Sequence, residues 1–117
     1  MKAIAVKSFN FFYKRLVKDV IEFEQVIGNK ITSVQTGKRV SIEQEKQEFF
    51  IYRNICLLYN RLVGEYQGVV LAHEGKIPKS IKPKLEKVYD IGEMISTFQA
   101  ISKMRDDNNP YGSEDYL

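Results

Sequence analysis

The chain has 117 residues, 44% of them hydrophobic and 28% charged, with a net charge of +3; this suits one globular domain and argues against intrinsic disorder or a fibrous class. Its single cysteine, Cys56, excludes an intrachain disulfide and points to a reducing, cytoplasmic setting. Arg53, Arg61 and Glu65 cut the most hydrophobic stretch long before a membrane span would be complete, and Lys7 ends the short apolar run Ala3 to Val6 before it could serve as an export signal, so a soluble protein is expected.

In chain order, the first helix is expected over about 9–27. Ser8 can accept a hydrogen bond from a free backbone N–H at its start, and Gly28 with Asn29 offers left-handed cap geometry at its end. Between them Phe9, Phe12, Leu16, Val20, Phe23 and Ile27 keep helical steps of three and four, while Tyr13, Val17 and Ile21 widen the stripe. The segment 31–41 reads differently. Ile31, Thr32, Val34, Thr36 and Val40 are β-branched, follow no helical period and surround Gly37, which predicts a small β-hairpin.

Ser41 followed three residues later by Gln44 forms a capping-box pattern, and Glu43, Glu45 and Glu48 suit the positive end of a helix dipole. The second helix is expected over about 42–73, stopping around Gly75 and roughly 45 Å long at 1.5 Å per residue. Tyr52, Tyr59 and Tyr66 recur at seven-residue steps, and Tyr52, Ile55, Cys56, Leu58, Leu62, Val63, Val69 and Val70 share an arc of about 160° with them. This arc reads as the core face, with the tyrosine hydroxyls reaching the rim. Gly64 and Gly68 weaken the helix by up to about 1 kcal/mol each relative to alanine, enough to allow a kink. A connecting segment, 76–82, then carries Pro78 and is followed by Pro83. The third helix is expected over about 83–105 with the stripe Leu85, Val88, Ile91, Met94 or Ile95, Phe98 and Ile101. An acidic tail, 106–117, closes the chain.

Together these predict a mainly α fold: a single domain, 1–105, built as a three-helix antiparallel bundle with a long central second helix.

Two surface features stand out. On the side of the second helix away from the tyrosines, Phe50, Leu57, Gly64 and Leu71 also recur at seven-residue steps, interleaved with Arg53, Asn60 and Arg61. Gly68 adds small-xxx-small spacing that lets another backbone approach. One reading buries this seam beneath the first helix or the hairpin. The other makes Phe50, Arg53, Leu57, Arg61, Gly64, Gly68 and Leu71 a protein-binding surface for a target or a second copy.

The second feature is basic. Lys76, Lys79 and Lys82 sit three residues apart in a segment that carries Pro78 and is followed by Pro83, so a polyproline-type conformation would align them along one edge, with Lys84 and Lys87 continuing the charge. Lys14, Arg15 and Lys18 form another basic region on the first helix. Such residues suit a nucleic-acid backbone, an anionic surface or simple solvation. The acidic tail either docks on these lysines or stays solvated.

Chemistry-bearing residues are sparse. His73 is the only histidine and sits near a helix end; with one cysteine it cannot complete a typical zinc site, and the scattered glycines form no phosphate loop. No catalytic residue, cofactor or small-molecule substrate is expected. The sequence points to a non-enzymatic adaptor or regulatory module, with nucleic-acid binding or a structural role in a larger assembly as alternatives.

Overall fold

The structure is a computed structural model that describes residues 2–108, with the side chains of all but 102 and 104–108. It contains three helices, α1 (Lys2–Gln35), α2 (Ile42–Ala72) and α3 (Lys84–Asn108), and no strand among the described residues. The chain divides into two compact units, one ending at Lys82 and one beginning at Pro83.

The first unit is a helical hairpin. Three contacts fix its direction: Lys30 Nζ lies 3.0 Å from Glu48 Oε2, the rings of Phe23 and Tyr52 are 5.9 Å apart, and the Arg61 guanidinium sits 4.9 Å from the Phe12 ring centre. Partners rise along α2 as they fall along α1, so the two helices run antiparallel. The six residues 36–41 suffice to turn the chain.

Between the helices lies a wholly apolar core. Phe9, Leu16, Val20, Phe23 and Val26 of α1 are buried, as are Ile51, Ile55, Leu62 and Val69 of α2. Phe12 and Ile27, expected in the stripe, are only half-buried, and Val26 takes the central place beside them. On α2 the tyrosines flank the buried line instead of forming it: Tyr52, Tyr59 and Tyr66 are half-buried, as expected for rings whose hydroxyls need a wet or polar partner. Val63, expected on the core face, is exposed instead.

Tyr52 has a measurable consequence. Burial disfavours its phenolate, and the Cys56 thiol one turn on adds to the effect, pushing its pKa up to about 12 from the ordinary 10.0. Because the folded-state value is raised, the stability linked to this group is intact below pH 10 and is lost as pH rises through about 12. A spectrophotometric titration is expected to show Tyr52 ionising late, at about 12, and that delay is expected to disappear when urea opens the hairpin.

The predicted β-hairpin at 31–41 is not formed. Residues 31–35 belong to α1, which runs through Gly28 and Asn29 without a break, and also begins at Lys2, well before Ser8. The β-branched threonines fit because their hydroxyls bond back within the helix: Thr32 Oγ1 donates to the Gly28 carbonyl and Thr36 Oγ1 to the Thr32 carbonyl, both at 3.0 Å. The true stop is Gly37, at φ 77°. Its N–H donates to the Val34 carbonyl at 3.2 Å and that of Lys38 to the Ser33 carbonyl at 2.8 Å, the paired bonds of a Schellman cap. The hairpin turn anticipated at Thr36 and Gly37 is therefore a helix cap, and α1, at 34 residues, exceeds the 31 of α2.

At the start of α2 the capping box is present in both directions. The Gln44 N–H donates to Ser41 Oγ at 3.1 Å, and the Ser41 N–H donates to Gln44 Oε1 at 3.2 Å. The helix then passes Gly64 and Gly68 unbroken.

It ends in a second Schellman cap, in which the Gly75 N–H donates to the Val70 carbonyl at 2.8 Å and that of Glu74 to the Leu71 carbonyl at 3.2 Å. Here the left-handed position is held by Glu74, at φ 56°. A side chain at this φ is strained, typically by about 1 kcal/mol. Glu74→Gly is therefore expected to raise the urea midpoint, by an amount equivalent to about 1 kcal/mol.

Helix α3 starts directly after Pro83. Ile91 and Ile95 are buried, with Leu85, Val88, Met94 and Phe98 half-buried, so the expected stripe is present; Ile101, its last member, is exposed. The helix continues to Asn108, three residues beyond the expected end at 105. The remainder of the acidic tail, and with it the question of docking on the lysines, lies outside the described residues.

Candidate interaction surface

The outward side of α2 carries the seam seen in the sequence. Its core-facing line, Ile51, Ile55, Leu62 and Val69, points to α1, and Phe50, Leu57 and Leu71 point away. They are 57%, 58% and 80% exposed. The alternative that α1 or a hairpin covers them does not hold for these side chains. Gly64 and Gly68 are also exposed, and a Cβ built on either meets nothing within 4 Å. The seam is a row of large side chains broken by a bare stretch of backbone.

The structure adds two residues at its N-terminal end. Ile42 and Phe49 are exposed, and with Glu45, Lys46 and Phe50 they line an open groove of about 390 Å³. A helical wheel centred on the buried line, instead of on the tyrosines, would have placed both on the outer face. Phe49 and Phe50 meet edge to face, 6.0 Å between ring centres.

The two expected rim cations differ. Arg53 is exposed on the seam. Arg61 is exposed but turned toward α1: its Nε lies 3.0 Å from Glu65 Oε1 while its guanidinium covers Phe12 of α1. It clamps the two helices more directly than it frames the seam.

Comparison with family models, curated proteins and solved structures returned no match.

The basic residues fall in separate places. Lys76, Lys79 and Lys82 are exposed, but the polyproline arrangement expected for them is absent. The segment folds back instead: the N–H groups of Ile81 and Lys82 both donate to the Pro78 carbonyl at 3.1 Å, and Ile81 is buried. A polyproline helix has no such internal bonds, so the predicted three-residue spacing of the ammonium groups is lost. Lys84 and Lys87 belong to the second unit. Lys14, Arg15 and Lys18 are all exposed on α1, and Arg15 stacks on the exposed Phe11 ring at 5.6 Å. Near them, partial burial and then Glu22 raise the pKa of Asp19, against the opposing pull of Arg15 and Lys18.

Among the described residues, no group of His, Cys, Asp and Glu side chains is arranged to hold a metal ion, and no helix is long and apolar enough to cross a membrane. His73 Nδ1 lies 2.8 Å from the Val69 carbonyl at the C-terminus of α2.

Proposed function

We propose that the chain is a non-enzymatic adaptor or regulatory module that works through the outward face of α2, with a second copy of itself as the partner that face fits best. The observation that carries the reading is the exposed row Phe50, Leu57, Gly64 and Leu71. A two-fold axis between Leu57 and Gly64 makes the row its own complement in an antiparallel pair. Leu57 of one copy then lies over Gly64 of the other, and Phe50 lies beside Leu71. Large side chains meet bare backbone, as an isologous interface requires. The two Arg53 side chains stand well apart in this register and each faces the space above Gly68, while the two Arg61 side chains flank the axis, each paired with Glu65 and set against Phe12 of its own chain.

Sedimentation equilibrium in high salt tests the proposal. A hydrophobic dimer is expected to persist there, because salt screens charge and leaves apolar burial intact. A monomer at every concentration would remove self-association.

The glycines supply a second test with opposite signs in the two states. Gly64→Ala and Gly68→Ala are each expected to stabilise the folded chain by up to about 1 kcal/mol, since both lie inside a helix with open space at Cβ. In the dimer the added methyl at 64 occupies the place of Leu57, so the dissociation constant is expected to rise although each chain is more stable.

The nucleic-acid alternative has the exposed Lys14, Arg15 and Lys18 in its favour. It predicts absorbance at 260 nm on freshly purified protein that salt removes.

A further inference from the structure

Between Lys2 and Lys18 the chain carries Lys2, Lys7, Lys14, Arg15 and Lys18 and no carboxylate; the first acid is Asp19. This whole segment lies within α1. Its inward line, Phe9 and Leu16, is buried in the hairpin, so the opposite line is fixed as outward. There apolar and cationic residues are interspersed at helical steps: Ile4, Lys7, Phe11, Lys14, Lys18 and Ile21. Ile4 is 67% exposed, Phe11 55% and Ile21 51%, and the intervening lysines are exposed as well. Arg15 holds its guanidinium against the Phe11 ring. The stripe runs about 26 Å along the helix, at 1.5 Å per residue.

We infer that this stripe docks on an anionic lipid bilayer surface, separately from the α2 face and independently of what that face binds. Charge selects the surface and the apolar side chains set the depth. Lysine ammonium groups meet lipid phosphates and carboxylates, while their methylene stems lie along the interface. Ile4, Phe11 and Ile21 enter the boundary between headgroups and acyl chains, where an apolar side chain gains from leaving water. Two other occupants fit less well. A second copy would set a lysine row against a lysine row. A nucleic-acid backbone accounts for the cations but offers Ile4 and Ile21 no hydrocarbon. The segment lies flat on the surface and does not insert as a span, in keeping with the helix length and charge.

Flotation of the full chain with vesicles tests the inference. Binding is expected to vesicles of phosphatidylcholine containing phosphatidylserine and not to vesicles of phosphatidylcholine alone. The double substitution Lys14→Gln with Lys18→Gln is expected to weaken binding about 30-fold, from about fivefold for each cation near the surface. Phe11→Ser leaves the charge unchanged and is expected to weaken binding as well. All three side chains are exposed, so far-UV circular dichroism should match that of the unsubstituted chain for both variants. Equal binding to neutral vesicles, or anionic-vesicle binding unmoved by the double substitution, would overturn the proposal. So would a DNA or RNA duplex that binds more tightly than anionic vesicles and does so regardless of Phe11→Ser. That last result would assign the stripe to nucleic acid.

Discussion

Leu62→Ala is expected to cost about 2–5 kcal/mol of folding free energy, a large part of what a domain of this size has. Leu62 has no exposed surface and sits at the middle of the α2 line that meets α1, between Ile55 and Val69, which are equally enclosed. Removing its isobutyl group forfeits the transfer energy of the lost methyl groups and leaves a cavity that two long, capped helices cannot easily collapse to fill. Leu71→Ala provides the comparison within the same helix. Leu71 is 80% exposed, so its truncation is expected to change stability by no more than about 0.5 kcal/mol. Urea unfolding followed by circular dichroism separates the two. Similar costs at both positions would mean that α2 does not turn Leu62 toward α1 and Leu71 toward solvent.

The contrast between these leucines also shows how far the sequence could be read. The line Phe9, Leu16, Val20 and Phe23 was legible because steps of three and four select one side of a helix whatever packs against it. The start of α2 was legible for a local reason: both bonds of the capping box join Ser41 to Gln44 and need nothing distant. The end of α1 was not. Gly28 with Asn29 and Gly37 are chemically comparable stop signals, and which one acts depends on whether the helix beyond the first keeps enough support to continue. The ion pair from Lys30 to Glu48 and the Schellman bonds at Gly37 are that support. The β-branched residues between them suggested strand, but their propensity deficit in a helix is a few tenths of a kcal/mol each and is easily offset. The same limit applies to the outer surface. Seven-residue spacing marked both the tyrosine row and the row of Phe50 and Leu57 as helical faces, yet periodicity alone does not say which face the partner helix covers. The tyrosines drew the predicted core centre too far to one side, and Val63 was placed inside as a result.

Leu57→Glu is expected to abolish self-association while leaving the hairpin folded. In the free chain Leu57 is more than half exposed, and glutamate is a good helix former, so the substitution replaces one tolerated outward side chain by another. In the antiparallel pair the same position lies over the bare backbone at Gly64 of the second copy, where the carboxylate would lose water. Burying an unpaired charge costs several kcal/mol, and the symmetry of the pair places this defect twice near the centre of the contact, which amounts to a loss of affinity of more than about 100-fold. Sedimentation should then show a monomer, with the circular dichroism spectrum and urea midpoint of the substituted chain close to those of the original monomer. An unfolded variant would show instead that Leu57 belongs to the core, and an undiminished dimer would move the contact away from this face. Phe50→Ser offers a milder probe of the same contact. It removes apolar area beside Leu71 without introducing charge, so a partial loss of affinity there together with complete loss for Leu57→Glu would locate the centre of the interface near the Leu57 and Gly64 pair.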